Sequence, residues 1–380
     1  MSSTTSSSSS AAPRGLEGVV AAATKISHVF GEEGRLVYQG YEISELASKA
    51  TYEEVCYLLW HGKLPNATEL DKLNAQMRSQ RSLPEAAKAA IRALPKDADP
   101  MDVLRTAISA AGVGLGVSGK PTYEQAVALT ARFPTAITMF ARQRDGKEPV
   151  EPRADLGHAA NYLYMLTGQA PEDRHTRSLD TYLVLLADHG MNASTFTARV
   201  IASTESDLAS CVVGAIGALK GPLHGGAPSL VLDMLDQIGD ASNIKPWVDN
   251  ALDHKQKLMG FGHRVYKTTD PRAEILRDMA KQASTPEFFA LARGTEEYAI
   301  EELHRRKPDQ RLYTNVEFYS ASVLHSVGLA RDLFPSTFAA SRVAGWTAHV
   351  LEQLEGNRLI RPQSEYVGPQ GLKFVPVEQR

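Results

Sequence analysis

The sequence has little cysteine and no long apolar run. Among its 380 residues only Cys56 and Cys211 occur, each within an apolar helical pattern, so buried, reduced thiols in a reducing, cytoplasmic compartment are expected. No closely spaced cysteine and histidine pair indicates a zinc site, and no other metal site is predicted. No apolar segment reaches the roughly 18 residues that a membrane-spanning helix requires. These absences argue against disulfide-stapled, zinc-binding and membrane-spanning proteins.

The chain also lacks a strong excess of charge. Lys and Arg number 41 and Asp and Glu 44, so the net charge is −3 and no surface for nucleic acid is expected. The first residues are almost all Ser, Thr and Ala without an apolar centre, which predicts a disordered tail over residues 1–14 rather than a secretory signal. The remaining length allows a large core divided between two lobes.

The sequence contains a long series of helical patterns. A Thr or Asn followed three residues later by Glu or Gln predicts helix starts at positions 51, 66 and 122, and Asp99 before Pro100 predicts another. Pro134 predicts a kink or break in the helix that starts at 122. Weak alternation over residues 25–40 predicts one short β-hairpin. Further helical patterns cover residues 156–168, 178–188, 206–220, 229–239, 246–258, 270–282, 286–306, 317–327 and 336–354. The predicted fold is therefore all-α, with many short helices in antiparallel layers.

Two histidines stand in glycine-rich turns. His224 lies in GPLHGG at 221–226, where Gly221 is placed to end an apolar helix, and His263 lies in GFGHR at 260–264. Such glycines let a ligand approach the backbone, and burial can move an imidazole pKa across neutrality. A carboxylate, Glu317, follows in NVEFY at 315–319. Either histidine alone is more readily a structural turn residue, but two histidines with a carboxylate form a candidate acid and base set.

Several basic residues are candidates for binding anions. Arg342 lies in the apolar motif SRVAGW at 341–346, where it needs an anionic partner, and a substrate carboxylate would suit its planar fork. Lys267 and Arg272 follow the second glycine-rich turn and could hold a polyanion or be solvated surface. His189, in DHGMN at 188–192, could interact with a helix dipole, and Arg361, in IRPQ at 360–363, would by itself be a surface residue.

Taken together, these motifs resemble the citrate synthase family in its compact bacterial form. The resemblance runs from GLEGV at 15–19 to YVG at 366–368, and the motifs at 221–226, 260–266, 270–272, 315–319 and 341–346 occur in the family's order and at similar spacings. It implies an all-α fold with a large helical domain, residues 15–225 and 330–380, and a smaller mobile helical domain, residues 226–329. It also implies an acyltransferase of the tricarboxylic acid cycle that condenses acetyl-CoA with oxaloacetate and hydrolyses citryl-CoA to citrate and CoA.

The resemblance implies a role for each candidate residue. His224 would hydrogen-bond the carbonyl oxygen of acetyl-CoA as it becomes an enol, His263 would polarise the keto oxygen of oxaloacetate, and Glu317 would remove the methyl proton. No cofactor is implied, because acetyl-CoA is a substrate. The residues implied to bind oxaloacetate or citrate are His189, Arg272, Arg342 and Arg361, the last from the partner subunit of a homodimer. The residues implied to contact CoA are Lys267 and the backbone of Met259, Gly260, Phe261 and Gly262.

The sequence departs from the family pattern at the base. The commonest residue there is aspartate, and Glu317 is one methylene longer, which would displace the carboxylate by about an ångström unless the backbone compensates. Two alternatives to a citrate synthase therefore stay open. One is a 2-methylcitrate synthase that uses propionyl-CoA, and the other is a catalytically impaired, citrate synthase-like binding protein. A metal-dependent hydrolase would need clustered ligands that the sequence lacks.

Overall fold

The computed structural model describes residues 14–16, 18–115, 120–225, 227–262, 266, 268–310 and 312–380. Within these ranges it contains sixteen α-helices and one three-stranded sheet. The strands are β1 Ser27–Phe30, β2 Arg35–Tyr38 and β3 Tyr41–Glu42. The helices are α1 Ile43–Lys49, α2 Tyr52–His61, α3 Ala67–Gln80, α4 Glu85–Ala93, α5 Pro100–Gly112, α6 Tyr123–Arg144, α7 His158–Thr167, α8 Asp173–Leu186, α9 Ala193–Ser203, α10 Leu208–Lys220, α11 Ala227–Ile238, α12 Ile244–Asp253, α13 Pro271–Ala283, α14 Pro286–Arg306, α15 Val316–Ser326 and α16 Phe334–Glu355. The predicted all-α class is confirmed.

The small sheet confirms the predicted hairpin and extends it. β1 and β2 pair antiparallel with Ser27 opposite Tyr38, and β3 adds a third strand that the alternation did not predict. Leu36 and Tyr38 are fully buried, so β2 turns one face toward the helices. The Tyr38 hydroxyl donates to the carbonyl oxygen of Asp188 over 2.8 Å. The sheet therefore braces the turn that follows α8.

The helix starts predicted from capping residues are confirmed. At positions 51, 66 and 122 the cap side chain accepts from the backbone N–H three residues on, and the Glu or Gln there accepts from the cap backbone. Asp99 caps α5, whose first residue is Pro100. Each cap satisfies backbone donors that have no partner within the helix. The capping residues alone were therefore sufficient to predict where these four helices begin.

Of the kink or break predicted at Pro134, the break is wrong, and the kink stays a prediction. α6 runs unbroken from Tyr123 to Arg144 with Pro134 inside it. A proline within a helix costs about 3 kcal/mol, because it removes one backbone hydrogen bond and crowds the preceding turn. All but one of residues 126–141 are buried, and apolar burial on this scale outweighs that cost. Tertiary packing therefore overrides the local signal.

Other predictions differ from the structure at the ends of elements. α8 begins at Asp173 rather than at 178, and α12 covers Ile244–Asp253 rather than 246–258. α1, α4 and α9 have no counterpart among the predicted helical ranges. Gly221 does follow the last residue of α10, but its φ of −57° is not left-handed, so glycine was not required there for the helix to end.

The core is organised around α16. This helix is buried along most of its length and packs against α2, α6, α8, α9 and α10. The helices α11 to α15 contact one another through the pairs α11 and α15, α12 and α14, and α13 and α15. α13 and α15 also contact α8. The ends of α8 and α9, the middle of α16 and the start of α15 thus approach one region, while the boundaries at 226 and 329 stay a prediction.

Two further sequence expectations can be compared with the structure. Cys56 and Cys211 are both free and buried, as predicted. No helix in the described ranges is both long enough and apolar enough to cross a membrane.

Candidate active site

His224 lies in the turn between α10 and α11, where a serine fixes its ring. The Nε2 atom of His224 is 2.9 Å from the hydroxyl oxygen of Ser194, in the first turn of α9. That hydroxyl also accepts a hydrogen bond of 3.0 Å from the indole N–H of Trp346 and lies 2.8 Å from Oδ1 of Asn192. Ser194 and Trp346 are fully buried. Residues of α9 and α16 therefore hold the orientation of this imidazole.

The surroundings of His224 keep its ring neutral. Burial, and then the positive charge of Arg342, lower the pKa of His224 to about 4. The ring of Phe338 meets the imidazole edge to face, with centroids 6.5 Å apart. At neutral pH the histidine can donate one hydrogen bond and accept one, but it carries no charge.

Glu317 lies at the start of α15, and the N-cap of this helix is hydrogen-bonded to the glycine-rich loop at 260–262. The N-cap residue Asn315 accepts from the Glu317 N–H over 3.1 Å and donates from Nδ2 to the carbonyl oxygen of Gly262 over 2.9 Å. Gly260 has a φ of +86°, and a Cβ there would lie 2.8 Å from Phe318, so only glycine fits. The predicted CoA-contacting residues Met259 to Gly262 are thereby attached to the start of α15.

The Glu317 carboxylate is partly desolvated. Its Oε2 atom is buried and has no hydrogen-bond partner among the described residues. Burial raises the pKa of Glu317, and the charge of Arg272 opposes that rise. A carboxylate with a raised pKa and an unoccupied acceptor atom is suited to take a proton from a ligand.

Arg342 is buried in the middle of α16. It is 1% exposed, its Nε donates to the carbonyl oxygen of Leu186 over 2.7 Å, and its guanidinium carbon lies 4.8 Å from the centre of the Phe338 ring. Burial lowers its pKa, and the charge of Asp188 opposes this effect. Asp188 is therefore the anionic partner within the chain that the sequence analysis predicted for Arg342.

Arg272 already holds one carboxylate. It donates from Nε to Oδ1 of Asp270 over 3.0 Å and from Nη2 to Oδ2 over 2.8 Å, and both side chains are almost fully buried. Asp270 also caps α13 through the Arg272 N–H. Burial alone would lower the pKa of Arg272, but Asp270 raises it. This guanidinium is therefore charged and rigidly placed.

His189 lies in the turn after α8, and hydrogen bonds of the preceding residue, Asp188, fix this turn. The Nε2 atom of His189 lies 3.3 Å from the hydroxyl oxygen of Tyr266. The carboxylate of Asp188 is fully buried and accepts from the Gly190 N–H over 3.1 Å and from the hydroxyl of Ser27. The turn is thus held on both sides of the histidine.

The structure brings several predicted residues into one region. The charge of Arg342 lowers the pKa of His224, and the charge of Arg272 lowers the pKa values of both Glu317 and Arg342. His263 and Lys267 lie outside the described residues. Arg361 is exposed on the segment that follows α16, so this chain's own fold does not enclose it.

Some residues of the region were not recognised as site residues from sequence. Ser194, Asp188 and His349 contact site residues or each other across 30 to 161 positions of the chain. The only signal for Ser194 was its place two residues after Asn192, the N-cap of α9. Sequence spacing cannot report contacts between distant elements. In the described part of the chain, no group of three or more His, Cys, Asp or Glu side chains could hold a metal ion.

Comparison with known proteins identifies the family. The model for "Citrate synthase, C-terminal domain" matches residues 15–363. The chain belongs to the citrate synthase family. It is therefore an acyltransferase of the citrate-forming type, and the predicted resemblance is confirmed.

Relatives and a solved structure agree with this assignment. The citrate synthase of Haloferax volcanii is 45% identical over 381 residues, covering 97% of this chain and 98% of the relative. A 2-methylcitrate synthase of Corynebacterium glutamicum is 41% identical over 378 residues, covering 97% of each. The structure of citrate synthase from Thermoplasma acidophilum, a ternary complex with carboxymethyl coenzyme A and oxaloacetate, matches with a TM-score of 0.88 and 33% identity, covering 96% of this chain and 98% of that one.

Proposed function

We propose that this enzyme condenses acetyl-CoA with oxaloacetate and hydrolyses citryl-CoA to citrate and CoA, without a cofactor. The observation that carries the proposal is the combination of a neutral, serine-bound His224 with a desolvated Glu317 carboxylate. A thioester methyl group is a very weak carbon acid. Its deprotonation needs a positioned base together with a donor that stabilises charge on the carbonyl oxygen.

His224 supplies the donor when its proton is on Nδ1. In that tautomer Nε2 must accept a hydrogen bond, and Ser194 is 2.9 Å away. The indole of Trp346 can only donate, so it occupies a lone pair of the Ser194 oxygen. The single hydroxyl proton of Ser194 has two acceptors within reach, Oδ1 of Asn192 at 2.8 Å and Nε2 of His224 at 2.9 Å, and we assign it to His224 when this histidine acts as the donor. A neutral imidazole then donates from Nδ1 to the thioester oxygen as it gains charge.

Glu317 supplies the base. Taking the carboxylate out of water raises its pKa and makes it a stronger proton acceptor at neutral pH. Oε2, which lacks a partner among the described residues, is the atom we assign to take the methyl proton.

Oxaloacetate, a dianion, is assigned to the arginines. Among the described residues, Arg342 donates only from Nε, to Leu186, so both of its terminal nitrogens are assigned to a carboxylate. Within the described ranges, Arg272 uses Nε and one N–H of Nη2 for Asp270, so the donors of Nη1 and the second N–H of Nη2 are also assigned to the ligand. His189 completes the clamp within the chain. By the same proposal His263 polarises the keto oxygen, and Lys267 with the loop from Met259 to Gly262 holds CoA.

We also propose a homodimer. Arg361 is exposed in its own chain, so we assign it to the oxaloacetate site of the partner subunit. The segment after α16 is exposed throughout nearly all of its length and carries large apolar side chains. Tyr366 is 66% exposed, Val367 88% and Phe374 83%. Apolar surface of this kind is stabilised by a partner, and a second copy of this chain is the partner we assign.

We place the enzyme in the cytoplasm, where its two free cysteines would stay reduced.

Steady-state assays with two acyl donors test this function. We expect turnover of acetyl-CoA with oxaloacetate, and a kcat/KM for propionyl-CoA at least about 10-fold lower, since one extra methylene in a closed pocket is worth roughly 10-fold to 200-fold. The 41% identity to a 2-methylcitrate synthase makes propionyl-CoA the second candidate donor. A preference for propionyl-CoA would assign that activity instead, and no turnover of either would indicate the impaired, ligand-binding alternative.

A further inference from the structure

Successive residues of α16 donate hydrogen bonds to carbonyl oxygens at the end of α8, next to the proposed oxaloacetate site. The Ser341 hydroxyl donates to the carbonyl oxygen of Leu183 over 2.6 Å, and Arg342 Nε donates to that of Leu186 over 2.7 Å. One turn later the Gly345 N–H donates to the carbonyl oxygen of Ala187 over 3.1 Å. Carbonyls at the end of a helix have no partner within it, so α16 satisfies those of α8 from outside.

His349 continues this series one turn further along α16. It is fully buried, and its Nε2 lies 3.3 Å from Oδ1 and 3.4 Å from Oδ2 of Asp188. Oδ2 accepts other hydrogen bonds from Ser27 and Gly190, whereas Oδ1 has no partner with good hydrogen-bond geometry among the described residues. The imidazole is therefore the group that α16 presents to this carboxylate.

The tautomer of His349 is fixed from its other side. Arg199 Nη1 lies 3.0 Å from the Nδ1 atom of His349, and an arginine can only donate, so Nδ1 must accept. The imidazole proton is consequently on Nε2, facing Asp188. Arg199 is itself held by Glu352 at 2.6 Å and by Gln353 at 3.1 Å. Every member of this chain of contacts has a defined donor and acceptor.

We propose that His349 is a positioning residue for oxaloacetate binding. It donates to Asp188 and thereby fixes the turn that carries His189 against the helix that carries Arg342. Asp188 precedes His189 directly, and Arg342 is two helical turns before His349 on α16. A displacement of about an ångström between two such groups is enough to weaken a clamp by a large factor. This inference rests on the proposed oxaloacetate site.

Two substitutions separate the two nitrogens of His349. His349→Asn places an amide where Nδ1 was, so it can still accept from Arg199 but is too short to reach Asp188. His349→Gln places its amide nitrogen near the position of Nε2 and keeps a donor for Asp188. With the purified full-length protein, we expect His349→Asn to raise KM and Kd for oxaloacetate about 10-fold and to leave KM for acetyl-CoA within about 2-fold. His349→Gln should stay within about 3-fold of the parent for oxaloacetate.

A matched control is available in the same chain. His158 is also fully buried, and its Nε2 has no hydrogen-bond partner among the described residues, but it contacts Tyr52 rather than the site. His158→Asn should lower the melting temperature without a selective change for oxaloacetate. A purely structural role for His349 predicts that His349→Asn behaves in the same way, and that result would overturn the proposal. Equal loss of oxaloacetate affinity in the Asn and Gln variants would overturn it as well.

If His349→Asn does not fold, the contact can be tested from Asp188. Asp188→Asn keeps the shape and one acceptor oxygen for Ser27 and Gly190, but it turns an amide donor toward the Nε2 proton of His349. We expect the same selective loss for oxaloacetate, and unchanged affinity contradicts the proposal. Calorimetric titration with oxaloacetate keeps this test independent of the proposed function, because a parent that binds oxaloacetate without turnover would sink only the catalytic assignment.

Discussion

The chemistry of the site depends on how individual residues are desolvated. Burial lowers the pKa of His224 to about 4 and raises the pKa of Glu317. The two shifts have opposite signs because burial disfavours the charged form of each group, which is the protonated imidazole and the unprotonated carboxylate. The sequence indicated both residues through their glycine-rich and Asn-capped contexts. It could not indicate Ser194, which is 30 residues from His224 and comes close only when α9 meets the turn after α10.

The pH dependence of the rate follows from these directions. Glu317 must be unprotonated to act as a base, and its pKa is raised, so kcat/KM for acetyl-CoA should fall as pH falls through a value above the usual 4.3 of glutamate. His224 stays neutral until about pH 4, so it does not contribute to a limb above that value. A pH–rate profile, with activity checked after return to neutral pH, measures this limb. A profile that is flat down to about pH 4.3 would contradict the raised pKa.

At the scale of elements, caps were predicted more accurately than tertiary contacts. Capping residues act within three or four positions, so their sequence signal is complete. The unbroken α6 and the unpredicted α1 depend on burial against other helices, which no local pattern encodes. The same limit applies to the contact between α8 and α16, where Gly345 lies against Ala187 and Asp188.

Gly345→Ala tests that contact. A Cβ at this position would overlap the Ala187 carbonyl oxygen and the Asp188 carboxylate, and α16 would have to move away from the end of α8. We expect a loss of about 1–3 kcal/mol in the free energy of unfolding together with weaker oxaloacetate binding. Gly356→Ala, just past the end of the same helix, is the control because nothing lies within 4 Å of its Cβ position. Equal stability of the two variants by thermal denaturation would show that the contact is not tight.

At the scale of the whole molecule, the site extends beyond one chain in this account. His189 follows α8, Glu317 begins α15 and Arg342 lies on α16, while His224 lies between α10 and α11 and Arg272 lies on α13. Arg361, in contrast, is on an exposed segment. The sequence suggested this arrangement only through the family resemblance. Physically, a chain cannot reveal from its own pattern which of its exposed residues will complete a partner's site.

Mixed dimers test the contribution of Arg361. Arg361→Ala and His224→Ala should each be nearly inactive alone. If Arg361 acts on the partner's site, random mixing after unfolding and refolding in equal amounts should restore about a quarter of parental activity, because half of the dimers are mixed and each has one intact site. No recovery, although mixed dimers are shown to form, would place Arg361 in its own chain's site or outside any site.

The most direct test of the catalytic account is the turnover of Glu317→Gln. The amide keeps the shape of the side chain and loses the proton acceptor, so kcat with acetyl-CoA and oxaloacetate should fall by roughly 100-fold to 10,000-fold. Oxaloacetate affinity, measured by calorimetry on the same preparation, should change by less than about 3-fold, because the arginines bind it. Turnover equal to that of the parent would show that Glu317 is structural and would contradict the assignment of this carboxylate as the base.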